Sequence, residues 1–235
     1  VVLNDLLAAP RFVDCVFQGN QSVNAIISNG RGSPYFLRCV FQGNHCTGFG
    51  GVMQNDFATL AVEDCQFLDN ISDLVGGVFY NNQTAMTATR SVFLRNRSGN
   101  GGVIQLTGGS FTSFSSLFAD NRSALDGGAI QAISGASVTL NNVTMTRNTA
   151  ARNGGGVSLQ QSSLVAVNSI FWDNRHLDQA GNLEGAQIHN NSGTVNVTYS
   201  DIQGLSLYAG GNNLAWDPLF TDRLADNFTL NRRSP

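Results

Sequence analysis

The chain has 235 residues, with 26 Gly, 26 Asn, only 4 Pro and 12% charged residues. All 13 basic residues are Arg and the net charge is -3, a balance that gives no reason to expect nucleic acid or an anionic membrane as partner. No apolar run reaches the roughly 18 residues of a transmembrane helix, and the turn-rich composition points to an all-β chain.

Residues 1–11 hold Val1, Val2, Leu3, Leu6 and Leu7 ahead of Pro10, an apolar segment too rich to be left in water. It is expected to cap the first repeat or to act as an assembly segment, docking on a neighbouring molecule by strand addition or end-to-end packing. The sequence opens on Val1 with no basic and apolar leader, so any secretion signal is expected to have been removed or to lie outside it.

From Phe12 onward the chain repeats. Phe-x-x-Asn occurs as Phe17 to Asn20, Phe41 to Asn44, Phe67 to Asn70, Phe93 to Asn96, Phe118 to Asn121 and Phe171 to Asn174, with Met145 to Asn148 filling the gap. The steps between the Asn residues are 24, 26, 26, 25, 27 and 26. A second motif runs half a period out of phase: Gly50-Gly51-Val52-Met53, Gly76-Gly77-Val78-Phe79, Gly101-Gly102-Val103-Ile104, Gly127-Gly128-Ala129-Ile130 and Gly154-Gly155-Gly156-Val157. A third strand precedes each Phe and alternates with period two, as in Leu60, Val62 and Cys65 or Val138, Leu140 and Val143. Short strands, Gly-rich corners and a fixed period predict stacked repeats. The expected fold is a single right-handed parallel β-helix of about 8–9 rungs over residues 12–204, with rungs about 4.8 Å apart. No linker interrupts it, so the chain forms one domain.

In such a coil Asn20, Asn44, Asn70, Asn96, Asn121, Asn148 and Asn174 form a structural ladder at one corner, bonding along the axis, with the Phe residues stacked as an apolar column. Charges beside them alternate in sign: Asp69, Arg95, Asp120, Arg147 and Asp173 in one file, Asp14, Arg38, Asp64 and Arg90 in another. These are expected to be salt-bridge ladders that set register. Cys15, Cys39 and Cys65 share an inward slot that later rungs fill with Ser91, Ser116 and Ser169, and Cys46 lies in the next corner. The slot is expected to hold small core-filling residues, with one disulfide compatible with the spacing.

An outward polar file, Gln54, Tyr80, Gln105 and Gln131, presents amides and one aromatic ring for contact with a glycan. Asn-x-Ser/Thr occurs at nine positions. Those at Asn20, Asn70, Asn96 and Asn121 fall in the ladder and are expected to be inaccessible, leaving Asn82, Asn142, Asn190, Asn196 and Asn227 as candidate glycosylation sites. An Asn-rich chain also produces such triplets by chance.

A polysaccharide lyase or hydrolase on this scaffold needs carboxylates converging on one face. Here the Asp residues in register alternate with Arg, no Lys offers a base, and Asp56, Asp73, Asp126, Asp178, Glu184 and Asp201 are scattered. The irregular stretch from His176 through Asp178 and Glu184 to His189 is the remaining place for a site, or a plain loop excursion. His45, His176 and His189 lack ligand-like spacing. No catalytic residue, metal or cofactor is expected. Residues 205–235, including Asn213 to Phe220 and Asp226 to Leu230, are expected to form the final rung and cap.

The alternation of Phe-x-x-Asn with Gly-Gly-(Ala/Val)-aliphatic over residues 12–188 resembles the paired tetrapeptide repeats of the chlamydial polymorphic outer-membrane proteins. That resemblance implies a surface-exposed passenger used in adhesion, followed in that family by a membrane β-barrel. The resulting expectation is a non-enzymatic extracellular or cell-surface protein with a structural or adhesive role, a head-to-tail fibril subunit being one form of it. Self-association or a surface glycan is the expected partner. A polysaccharide-active enzyme or glycan-binding module is the alternative.

Overall fold

The computed structural model describes residues 2–177 apart from 6, then 183–208, 211–223 and 225–234. The chain coils as a parallel β-solenoid of about seven turns with a period near 26 residues. Three faces carry eight strands each and a fourth carries seven, neighbours running parallel and in register. The turn count is below the 8–9 expected, because the chain leaves the coil after Asp201–Ile202.

Each turn has four strands rather than three. After every ladder Asn comes a strand of two residues, such as Ile71–Ser72 or Arg122–Ser123, too short to show an alternation in sequence. The corner before it turns on the residue preceding the Asn, which takes the left-handed conformation: φ is 61° at Gly43, 56° at Asp69, 57° at Arg95 and 55° at Asp120. A non-Gly residue there costs about 1–2 kcal/mol. Hydrogen bonds between the ladder Asn side chains and the backbone hold these corners closed.

The Gly pairs have a steric origin. Gly101 has φ 62°, and a Cβ on Gly102 would lie 2.0 Å from the Gly128 carbonyl oxygen of the next turn. Two turns approach there more closely than any side chain permits.

Inside, Phe17, Phe41, Phe67, Phe93 and Phe118 stack nearly parallel with ring centroids 4.5–5.0 Å apart. Met145 and Phe171 continue the file in register. A shorter stack of Phe12 on Phe36, at 4.8 Å, meets it edge-on.

Both ends differ from expectation. Val2–Asp5 is not a cap but the first strand of the first face, paired with Ile27–Gly30. Val2 is half-buried, while Leu3 and Leu7 are exposed; Val1 and Leu6 lie outside the described residues. At the other end Leu214 extends the stacking by a bridge to Asp201, and Gly211 and Asn213 accept the N–H groups of Tyr199 and Ser200. The chain then folds back as an antiparallel hairpin, Phe220–Asp222 with Asn227–Leu230, along the outside of the third face. Its Phe220 and Phe228 bury against Ala119 and Trp172, with Leu94, Leu117 and Ile170 at the edges. The expected terminal cap is therefore a lateral strap. Apolar residues at outward positions of the third face are what it covers.

Candidate functional site

The polar side chains that recur in register meet at the corner between the third and fourth faces. On its inner side the Asn ladder is continuous. Asn20 Nδ2 donates to Asn44 Oδ1 at 2.8 Å, Asn44 to Asn70 at 2.9 Å, Asn70 to Asn96 at 3.0 Å and Asn96 to Asn121 at 3.0 Å. Asn121 then donates to Asn148 at 2.8 Å and Asn148 to Asn174 at 2.9 Å. The second hydrogen of Asn44 Nδ2 goes to the Phe17 carbonyl oxygen, and each later Asn repeats this with the Phe or Met one turn back. Each Oδ1 also accepts the backbone N–H of the previous Asn, as Asn70 Oδ1 does from Asn44 at 3.1 Å. From Asn44 to Asn174 two donors and two acceptor sites are filled per side chain, which offsets the desolvation of these amides. Asn70, Asn96 and Asn121 are fully buried. Asn20, expected to be inaccessible with them, is exposed because no turn lies beyond it to supply the second contact.

A second ladder is one that the sequence reading missed. Asn4 donates to Asn29 at 3.2 Å, Asn29 to Asn55 at 2.6 Å and Asn55 to Asn81 at 2.7 Å, all buried on the first face. Its 25- and 26-residue spacing is present in the chain, but the file ends where Leu106 takes over in register. The Cys and Ser slot also does more than fill space. Ser91 Oγ accepts the Cys65 N–H, Ser116 Oγ that of Ser91, and Ser169 Oγ that of Val143, satisfying amides at a left-handed corner. All four cysteines are free, and burial pushes the Cys65 thiol up to about 11.

On the outer side of this corner Arg95 pairs with Asp69 and Arg147 with Asp120, while the other charged file, at the corner between the second and third faces, pairs Arg38 with Asp14 and Arg90 with Asp64. The strap completes the longer file: Asp226 bonds Arg95 and Arg147, and Arg223 bonds Asp173. Arg147 also lies over the Phe228 ring at 4.6 Å. The guanidiniums hold the Asp14 and Asp64 carboxyls below their usual range, and the Tyr35 hydroxyl and then Arg90 do the same for Glu63.

Of the polar file on the first face, Gln105 and Gln131 are buried, the Gln105 Nε2 donating a hydrogen bond to Gln131 Oε1 at 2.8 Å. Gln54 bonds Asp56, and Tyr80 packs on Phe49. Asn142, Asn190, Asn196 and Asn227 are exposed, whereas Asn82 is half-buried and bonded to Asp56.

In the stretch around His176, burial lowers the His189 pKa, and the charges of Asp126 and His176 also reach it. Asp178 lies outside the described residues. Glu184, in the short helix Leu183–Gln187, is buried and accepts the backbone N–H groups of Ser206, Leu207 and Tyr208 at 2.8, 2.6 and 3.1 Å. Gln187 from the same helix occupies the next ladder place, accepting from Asn174 at 2.7 Å. The excursion thus returns a ladder amide, and sequence alone could not foresee that a Gln would arrive from a helix.

Among the described residues no three His, Cys, Asp or Glu side chains form a metal-like group, and no helix is long and apolar enough to cross a membrane. Open grooves lie along the strap and the charged corner. A groove of about 540 Å³ runs between the strap and Arg90, Ser116 and Asn142. Another, of about 380 Å³, is lined by Asp69, Arg95, Arg97, Asp120 and Arg122. No family model matches the chain, and no curated protein or solved structure is significantly similar to it.

Proposed function

We propose that the chain is a non-catalytic, extracellular solenoid with a structural or adhesive role at a surface, as the paired-repeat resemblance to the chlamydial polymorphic outer-membrane proteins implies. One observation carries this reading: the side chains that repeat in register bond one another. The ladder amides have their donors and acceptors filled, and the in-register Asp residues sit against Arg from the adjacent turn or the strap. A glycosidase or lyase needs carboxylates with a proton to move or a charge left to share, and this arrangement neutralises the carboxylates pairwise. Exposed acceptor triplets at Asn142, Asn190, Asn196 and Asn227 support an extracellular setting.

The test is a depolymerisation assay on polygalacturonate, alginate and chondroitin sulfate, following unsaturated and reducing ends. No turnover above buffer is expected. Sustained release of either end by the pure chain, abolished by substituting one of its carboxylates, would replace this reading with a catalytic one.

A further inference from the structure

Among the described residues, six of the 13 arginines pair with acids: Arg38, Arg90, Arg95, Arg147, Arg152 and Arg223. Two more lie over aromatic rings, Arg11 on Tyr35 and Arg31 on Phe57. Three of the rest share one file on the fourth face. Arg97 and Arg122 are direct cross-strand neighbours, Thr149 follows in register, and Arg175 follows Thr149. All three arginines are exposed and have no acidic partner among the described residues.

Like charges placed directly opposite on adjacent strands destabilise a sheet. The contrast with the next file is sharp, since there the chain alternates Asp and Arg at the same spacing. A repeat that neutralises one file and leaves +3 on its neighbour leaves a place for an anion. The file forms the wall of the 380 Å³ groove, and a second groove of about 270 Å³ continues it past Asp120, Arg147, Thr149 and Arg175. The two grooves share Asp120, Arg147 and Thr149, so they make one trough along the solenoid axis. With turns about 4.8 Å apart, Arg97 and Arg175 are separated by about 14 Å, a length that suits an extended chain bearing several anionic groups rather than one small ion.

The chemistry of the walls narrows the class. Guanidinium forks bind carboxylate or sulfate through paired hydrogen bonds. Thr149 adds a hydroxyl, and the Asp69 and Asp120 carboxylates on the floor keep lone pairs beyond those used by Arg95 and Arg147, so they accept from hydroxyl groups. Single-stranded nucleic acid needs aromatic platforms for its bases, and neither groove is lined by an aromatic residue. A ligand with regularly spaced negative charges, abundant hydroxyls and no bases is an acidic polysaccharide.

We infer that the trough bounded by Arg97, Arg122, Thr149 and Arg175 is a binding site for a sulfated or carboxylated glycan chain lying along the solenoid axis. This deepens the adhesive reading and rests on it.

The experiment is calorimetric or surface-resonance titration of the intact chain with heparin, chondroitin sulfate, polygalacturonate, neutral dextran and a 20-nucleotide single-stranded DNA. Arg97→Gln/Arg122→Gln is compared with Arg232→Gln/Arg233→Gln, which removes the same charge elsewhere. At least one acidic glycan is expected to bind, dextran not at all and DNA more weakly. The trough variant should lose about 30-fold or more in affinity and the control less than about 3-fold. Binding should weaken with salt, with a shallower slope in the trough variant. The trough variant should melt no lower than wild type, since it relieves a like-charge pair, so lost binding cannot be charged to misfolding. No acidic glycan binding, equal losses in both variants, or tighter binding of DNA would each overturn the inference. A bound glycan that is also cleaved would keep the trough and overturn the non-catalytic reading, so the two fail separately.

Discussion

The inner and outer sides of one corner carry ladders a single residue apart in sequence, and they carry different energetic weight. Asn96 is fully buried, whereas its neighbour Arg95 is exposed and its partner Asp69 half-buried. Inside, a missing partner strands amide groups that water cannot reach, so each bond is costly to lose. Outside, water replaces a lost ion pair at little cost. The same repeat therefore yields a scaffold on one side and an adjustable surface on the other. The strap and the arginine file both use the second.

The largest effect that tests this contrast is Asn96→Ala. It removes the acceptor for Asn70 Nδ2 and the Asn70 N–H, and one of the donors to the Phe67 carbonyl. A loss of about 3–5 kcal/mol in urea unfolding is expected, against less than about 1 kcal/mol for Asn20→Ala at the open end of the ladder. Comparable losses at both positions would break the comparison. Next is Gly102→Ala, where the new Cβ meets the Gly128 and Arg122 backbone of the next turn; about 3 kcal/mol or more is expected. The strap comes third. Phe228→Ala should cost about 2–3 kcal/mol locally, read as faster hydrogen exchange over residues 220–230 with the coil unchanged.

A pH effect of opposite sign lies where the coil ends. Burial raises the Asp201 carboxyl to about 6, despite the N–H donated by Trp216. A raised carboxyl favours the protonated folded state, so stability contributed by this group is present below about pH 4 and is lost as pH rises through about 6. Asp201→Asn should therefore stabilise the chain at pH 7 by about 1–2 kcal/mol and remove that slope from a denaturation series. Asp14, Glu63 and Asp64 act the other way: their contribution is present above about pH 4 and fades as pH falls. The smallest effect is Arg95→Ala. At an exposed pair it should cost less than about 1 kcal/mol, with any excess appearing as looser strap exchange through the lost Asp226 contact.

Much of the coil was legible because its information is periodic. Phe67, Phe93 and Phe118 recur at one spacing, and in a parallel coil equal spacing becomes direct stacking. The fourth face was not legible, because strands as short as Arg97–Ser98 carry no alternation. Nor was burial of Gln105 and Gln131, since polarity alone leaves them open to water and only their stacking in adjacent turns brings the two amides together. The arginine file was present in the sequence, yet its meaning depended on seeing Arg97 beside Arg122 while their neighbours in the next file were neutralised.

The sequence by itself determined the repeat, its register, the apolar column and the alternation of charge, because each comes from residues recurring at a constant interval. Tertiary structure decided what has no interval. The hairpin at Phe220 to Leu230 turns back onto Trp172 rather than capping the coil, and Gln187 enters the Asn ladder from a helix. Such contacts join segments distant in sequence through shape and burial, and these come into being only once the coil has formed.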